Sequence, residues 1–308
     1  MKLQSLSVPI AARRPGIRWR LILLVVAAAL VVASRGAAQR EAPGEPVVIP
    51  GTNIPGWGQV DTVPGRFGRP AGSTAPKVPA VLILHGSGGV DGRGAFHAKA
   101  LQDAGIATLE ITMFPPGGRP KAGPKANMPH AAAALTWLAA QPPVDGQRLG
   151  VMGFSWGGYM SVLMASELVQ ERLGKDVPTP AAFAPFYPTC SVMVRNLVKP
   201  ENAFYNTHLR MRAVPMLIQV GTRDDYEEGD RPCDALVALW PAAARELVTV
   251  RYVEGATHGF DSQTPARQFR DEFAHAGRGG MVNVIPSPEA AAEARQAVVS
   301  LFVTQLHP

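Results

Sequence analysis

Leu149-Gly-Val-Met-Gly153-Phe-Ser155-Trp-Gly157-Gly158-Tyr-Met-Ser-Val-Leu-Met164 joins a short apolar run to Gly-x-Ser-x-Gly and then to a helix-like segment. A strand that runs through this motif straight into a helix is the setting of a nucleophile elbow. The reason is steric. To lift its hydroxyl above the end of a sheet, Ser155 must sit in a tight turn with strained backbone angles. Only small neighbours fit where that turn doubles back, hence Gly153 and Gly157, while Gly158 lets the helix approach the strand. The competing reading is a glycine-rich turn whose serine merely caps a helix. It gives no reason for the features that follow in order along the chain.

Upstream, Ala80-Val-Leu-Ile-Leu84 runs into His85-Gly86-Ser87-Gly88-Gly89. An unbroken apolar run ending in glycines suits a central parallel strand buried on both faces. Gly86-x-Gly88 begins a dinucleotide fingerprint, but Asp91 stands where its last glycine should be, so that reading fails. With an elbow downstream, the loop fits the donor loop of an oxyanion hole, its N–H placed on Ser87 or Gly86. The second donor would be the backbone N–H of Trp156, directly after the serine. His85 reads as a structural residue at the strand end.

Between the two motifs, helices are predicted over about 94–104 and 131–140, separated by the strand Ile106–Phe114 and the loop Pro115–Pro124. After the elbow, Ala181–Tyr187, Met216–Val220 and Leu247–Val253 read as strands, the last of them the final clear one. Ser287-Pro288 then opens a C-terminal helix burying Ala294, Val298, Leu301 and Phe302. This alternation predicts right-handed βαβ units, a mostly parallel central sheet and helices on both faces.

A serine hydroxyl needs a base to take its proton. Of seven histidines, His258 follows a strand near the C-terminal end of the fold, and Gly255 and Gly259 let its loop reach back. The base in turn needs a carboxylate to hold its tautomer. Asp224, just past the strand ending at Gly221, is the first choice, with Asp225 its rival and Glu254 a remote third. Trp156, Tyr159, Phe114, Phe186 and Tyr187 are candidates for an aromatic pocket, although core packing is the commoner fate of such side chains.

The formal charge of +6 belongs to the beginning of the chain. Residues 1–38 hold Lys2, Arg13, Arg14, Arg18, Arg20 and Arg35 and no acid, and the remainder carries 24 basic against 24 acidic residues. The charge is therefore no argument for a nucleic-acid partner. Residues 1–38 read as a signal peptide: a basic stretch, the apolar run Leu21–Ala33, then Gly36-Ala-Ala38. The run is shorter than the roughly 20 residues of a membrane span, so a retained anchor is the weaker alternative. An exported chain is expected, periplasmic or secreted and without a stable membrane partner. Residues 39–78 are a Pro/Gly-rich lead-in with one or two edge strands, and residues 79–308 the catalytic domain. In an exported protein the isolated pair Cys190 and Cys233 reads as a disulfide. No cluster has metal-site spacing, and no cofactor is called for.

His85–Gly89, Gly153-Phe-Ser-Trp-Gly-Gly158, Gly221-Thr-Arg-Asp-Asp225 and Gly255-Ala-Thr-His-Gly-Phe260 together resemble the dienelactone hydrolase family of the α/β-hydrolase superfamily. The resemblance runs from about Val78 to Phe302. It implies an α/β-hydrolase fold and a Ser155–Asp224–His258 triad acting on a small-molecule ester or lactone. One departure stands out: the enzymes that give the family its name use a cysteine nucleophile, so their substrate is not carried over. The segment Phe186–Cys190 and the later Cys233 resemble an exported branch of the family, which supports the disulfide. Two other readings compete. A serine peptidase or acyltransferase would use the same groups, although no propeller or large lid domain is present. A silent binding protein would need a broken triad, and all three polar positions are filled.

Overall fold

The computed structural model of the chain describes residues 42–73, 75–114, 123–197 and 210–307. The expected leader and most of the loop 115–124 lie outside them. The lead-in carries β1 (Glu45–Pro50), the small hairpin β2 (Asn53–Ile54) and β3 (Gly58–Gln59), and β4 (Thr62–Gly68). β1 and β4 pair with each other, and β4 pairs with the main sheet, both antiparallel. The lead-in thus forms one outer edge of the main sheet. Pro46 and Pro50 are tolerated in β1 because an outermost strand does not need every N–H.

Next come β5 (Val78–Leu84), α1 (Arg93–Asp103), β6 (Ala107–Ile111), α2 (Met128–Ala139), β7 (Val144–Phe154), α3 (Trp156–Met164), α4 (Glu167–Leu173) and β8 (Ala182–Phe186). They are followed by α5 (Cys190–Leu197), β9 (Met216–Gly221), α6 (Pro232–Val237) and β10 (Val248–Val253). An antiparallel ribbon, β11 (Arg267–Asp271) and β12 (Gly280–Val284), precedes α7 (Pro288–Leu306). The sheet order is β1-β4-β6-β5-β7-β8-β9-β10, parallel from β6 to β10.

Every residue of β5, β6, β8 and β9 is buried, as strands between two helical layers must be, Thr108, Glu110 and Gln219 included. The two faces can be read from β7. A side chain at Gly150 would strike Phe302 of α7, and one at Gly153 would strike Gly157 of α3. Three residues apart on a strand, the two positions point to opposite faces. α1 packs with α7 on one side, while α2 and α3 meet α4 on the other. Ser287 caps α7 by accepting the N–H of Ala290, and Ala294, Val298 and Phe302 are buried as expected. Leu301 is only half-buried, because the packed face of α7 centres on Ala291, Ala294, Val298 and Phe302.

The ribbon β11–β12 corrects the expectation that no clear strand follows β10. Arg267-Gln-Phe-Arg-Asp271 is mostly exposed and polar, so it lacks the apolar pattern that marks a core strand.

Cys190 and Cys233 are joined by a disulfide spanning 43 residues. It ties the start of α5 to α6. Closing such a loop restricts the unfolded chain by about 4 kcal/mol in the chain-entropy account. Replacing both cysteines by serine is therefore expected to lower the midpoint of thermal unfolding by on the order of 10 °C, read by calorimetry against the oxidised parent.

Candidate active site

The strained turn is present at Ser155, whose φ of 51° and ψ of −108° lie between the end of β7 and the start of α3. Positive φ is costly for a residue with a side chain, and such residues gather at functional sites. The turn is closed by the Ser155 N–H donating to Phe186 O at 3.0 Å and the Tyr159 N–H donating to Ser155 O at 2.7 Å. Its glycines are obligatory. A Cβ on Gly157 would stand 2.1 Å from Leu84 O, and one on Gly158 2.5 Å from Phe186 O.

The loops after β7, β9 and β10 bring three side chains together. Ser155 Oγ lies 2.9 Å from His258 Nε2, and His258 Nδ1 lies 2.8 Å from Asp224 Oδ2. Since a carboxylate only accepts, the Nδ1–H donates to Asp224, which leaves Nε2 to accept the Ser155 hydroxyl. Asp224 and His258 are both buried. The second Asp224 oxygen accepts the Tyr226 N–H at 2.9 Å, so the carboxylate is fixed at both ends. Asp225 turns away and accepts from the N–H and the Nδ2 of Asn283, while Glu254 is exposed. Just beyond, the Glu227 carboxylate accepts the N–H groups of Cys190 and Ser191 at 2.6 and 2.7 Å, linking the Asp224 loop to the disulfide-bonded helix. Burial and the neighbouring Asp224 push Glu227 up to about 7.

The loop after β5 faces this trio. Gly86, Ser87 and Gly88 line a cavity of about 220 Å³ together with Ser155 and His258. The Trp156 N–H is the first of α3, where no intrahelical acceptor exists. The Trp156 indole Nε1 is directed elsewhere, donating to Asn127 Oδ1 at 3.1 Å. His85 holds the loop from below. Its Nδ1 lies 2.7 Å from Gly86 O, and its Nε2 accepts the Met113 N–H at 2.9 Å. With one nitrogen donating and the other accepting, the ring must be neutral. Burial lowers its pKa from 6.5 to about 4. The unfolded chain therefore binds this proton first, so the stability is full above about 6.5 and drains away as pH falls toward 4. A shift of this size corresponds to about 3 kcal/mol. Urea unfolding at pH 7.5 and 4.5 should show an acid loss larger by about that amount in the parent than in His85→Asn.

The sequence did not reveal the wall of the cavity. Its aromatic lining comes from Tyr226 and Phe269, with Val284 and Arg267, so the ribbon β11–β12 overhangs the serine. Tyr159, Phe186 and Tyr187 are buried in the core. The Tyr187 and Tyr226 rings nevertheless pack on the His258 imidazole, with centroids 4.7 and 4.4 Å away. Arg93 and Asp91 also reach the cavity, and Arg93 is 5% exposed. Nothing in the Asp91-Gly-Arg93 segment marks it as buried, since charged residues near a helix start are usually solvated.

A parallel sheet whose central strand turns through a strained serine into a buried helix, with His and Asp delivered by later loops, defines an α/β-hydrolase. The dienelactone hydrolase family model matches residues 117–306, and the chain belongs to that family, a carboxylic ester hydrolase by class. Among solved structures it is similar to Thermogutta terrifontis esterase 2 phosphorylated by paraoxon, at 19% identity and a TM-score of 0.60, covering 87% of this chain and 97% of that one. The same esterase with propionate bound gives 18%, 0.61, 86% and 97%. Est1E from Butyrivibrio proteoclasticus gives 15%, 0.57, 85% and 99%. At such identities the likeness is one of fold. No curated protein matches the chain.

Proposed function

We propose that the protein cleaves small carboxylic esters or lactones through an acyl-enzyme on Ser155. The observation that carries the reading is the unbroken line Ser155 Oγ–His258 Nε2, His258 Nδ1–Asp224 Oδ2, at 2.9 and 2.8 Å. Ser155 attacks the carbonyl carbon while His258 takes its proton, and Asp224 stabilises the imidazolium that forms. The N–H of Trp156 and the loop N–H at Ser87 receive the developing oxyanion. His258 then protonates the leaving alkoxide, and in the second half it takes a proton from water as that water attacks the acyl carbon. No step calls for a cofactor.

Export fits the same picture. The basic and apolar leader of residues 1–38 and the Cys190–Cys233 bridge both suit a chain that works outside the reducing cytoplasm. The test of function is turnover of p-nitrophenyl esters from acetate to decanoate and of simple lactones. Burst release of p-nitrophenol followed by slower steady turnover is expected. A folded protein that cleaves none of them would refute the reading.

A further inference from the structure

A second buried polar chain runs beside the serine, histidine and aspartate, and the hydrolytic steps above leave it without a task. Arg93 is held by Asp91 through Nε at 2.9 Å and Nη2 at 2.7 Å. Its Nη1 donates to the Tyr187 hydroxyl at 2.9 Å. That hydroxyl donates in turn to Asp261 Oδ1 at 2.5 Å, and Asp261 Oδ2 lies 2.9 Å from His97 Nε2. Tyr187, Asp261 and His97 are fully buried. Burial pushes the Tyr187 phenol well above its usual range, so it stays a donor. Burial disfavours the Arg93 charge, but the Asp91 carboxylate outweighs this and holds it ionised.

Burying so many polar groups is expensive, and an apolar cluster of the same shape would often be as stable. What distinguishes this chain is what it joins. Asp91 and Arg93 follow the loop Gly86–Gly88, and Arg93 lies directly behind Gly86, where a Cβ would stand 2.9 Å from Nη2. Tyr187 follows β8, whose last residue, Phe186, accepts the Ser155 N–H. Asp261 lies three residues beyond His258. The Gly86–Gly88 loop, the end of β8 that anchors the serine turn and the loop that carries His258 are therefore bolted together at one phenol. The Tyr187 backbone is itself held at φ 35°, with its N–H on Gln219 O at 2.6 Å. Its ring stands edge-on to the His258 imidazole at 62°.

We propose that Tyr187, clamped by Arg93 and Asp261, is a positioning residue that holds the His258 ring in line with Ser155. This rests on the reading of His258 as the base. The ring must keep its angle while it gains and loses a proton, and Asp224 grips it at a single nitrogen. The edge of Tyr187 supplies a wall against which it cannot tilt.

The test measures kcat, KM and the rate of inactivation by a fluorophosphonate in the full chain, with melting temperature recorded. Tyr187→Phe keeps the ring but releases it from both clamps. Its kcat and inactivation rate are expected to fall together by on the order of 10- to 100-fold, with KM nearly unchanged, as for a small misplacement of a reacting group. Asp261→Asn keeps an oxygen for the phenol and is expected to lose less, roughly three- to tenfold. A kcat within about twofold of the parent in either folded variant, even with a lowered melting temperature, would overturn the proposal. Ser155→Ala run alongside separates the two claims. Lost turnover there with full turnover in Tyr187→Phe overturns the positioning role alone. Turnover retained in Ser155→Ala overturns the nucleophile and this role with it.

Discussion

Ser155→Ala is expected to lower ester turnover by on the order of 10⁴- to 10⁶-fold while leaving KM and the melting temperature nearly unchanged. The size follows from what is removed. Without Oγ no acyl-enzyme forms, and His258 Nε2 loses the hydroxyl 2.9 Å away that it would deprotonate. What remains is the cavity and its N–H donors, which can still polarise a bound carbonyl for slow attack by water. KM should hold because Gly86, Ser87, Tyr226, Phe269 and Val284, which shape the cavity, are untouched. Fold should hold because the elbow depends on Gly153, Gly157 and Gly158 and not on the serine hydroxyl. Steady-state kinetics and calorimetry on the same preparation check both halves.

The second large effect separates two neighbouring carboxylates. Asp224→Asn is expected to cost about 10⁴-fold in kcat at neutral pH. An amide at this position can present its N–H₂ to His258, which then turns its protonated nitrogen toward Ser155 and cannot accept the hydroxyl proton. Asp225→Asn should cost little, because that side chain faces Asn283 and not the imidazole. It is expected to loosen the ribbon, so its effect should appear in stability and in KM before kcat. A pH–rate profile of each variant decides the matter. Equal losses in the two would contradict the assignment.

Much of the site was legible because it is local. Gly153-Phe-Ser-Trp-Gly157 can fold in few ways between a buried strand and a buried helix, and the steric need for glycine is visible in the letters. His258 and Asp224 were legible at one remove, since each follows an apolar run that had to be a strand. The choice of Asp224 over Asp225 rested on placement alone, and the structure shows two adjacent side chains pointing to different partners. The polar chain that joins Arg93, Tyr187, Asp261 and His97 was not legible, and the sequence marks Tyr187 only as a candidate pocket aromatic. The chain's meaning lies in contacts between segments 94 and 164 residues apart, and no local pattern announces a buried arginine. The ribbon β11–β12 escaped for a related reason. β11 is polar and mostly exposed, β12 is only five residues long, and their place above the serine is set by tertiary packing. The Pro/Gly-rich lead-in gave weak strand signals because β1 is an outer edge, where alternation is poorly enforced.

The measurement that bears most directly on the central claim is peptide mapping after reaction of the purified chain with a fluorophosphonate. One adduct on Ser155, formed faster than on any other hydroxyl and lost together with ester turnover in His258→Gln, is the predicted result. An unlabelled Ser155 in a protein that still cleaves esters, or an adduct elsewhere that abolishes turnover, would contradict it.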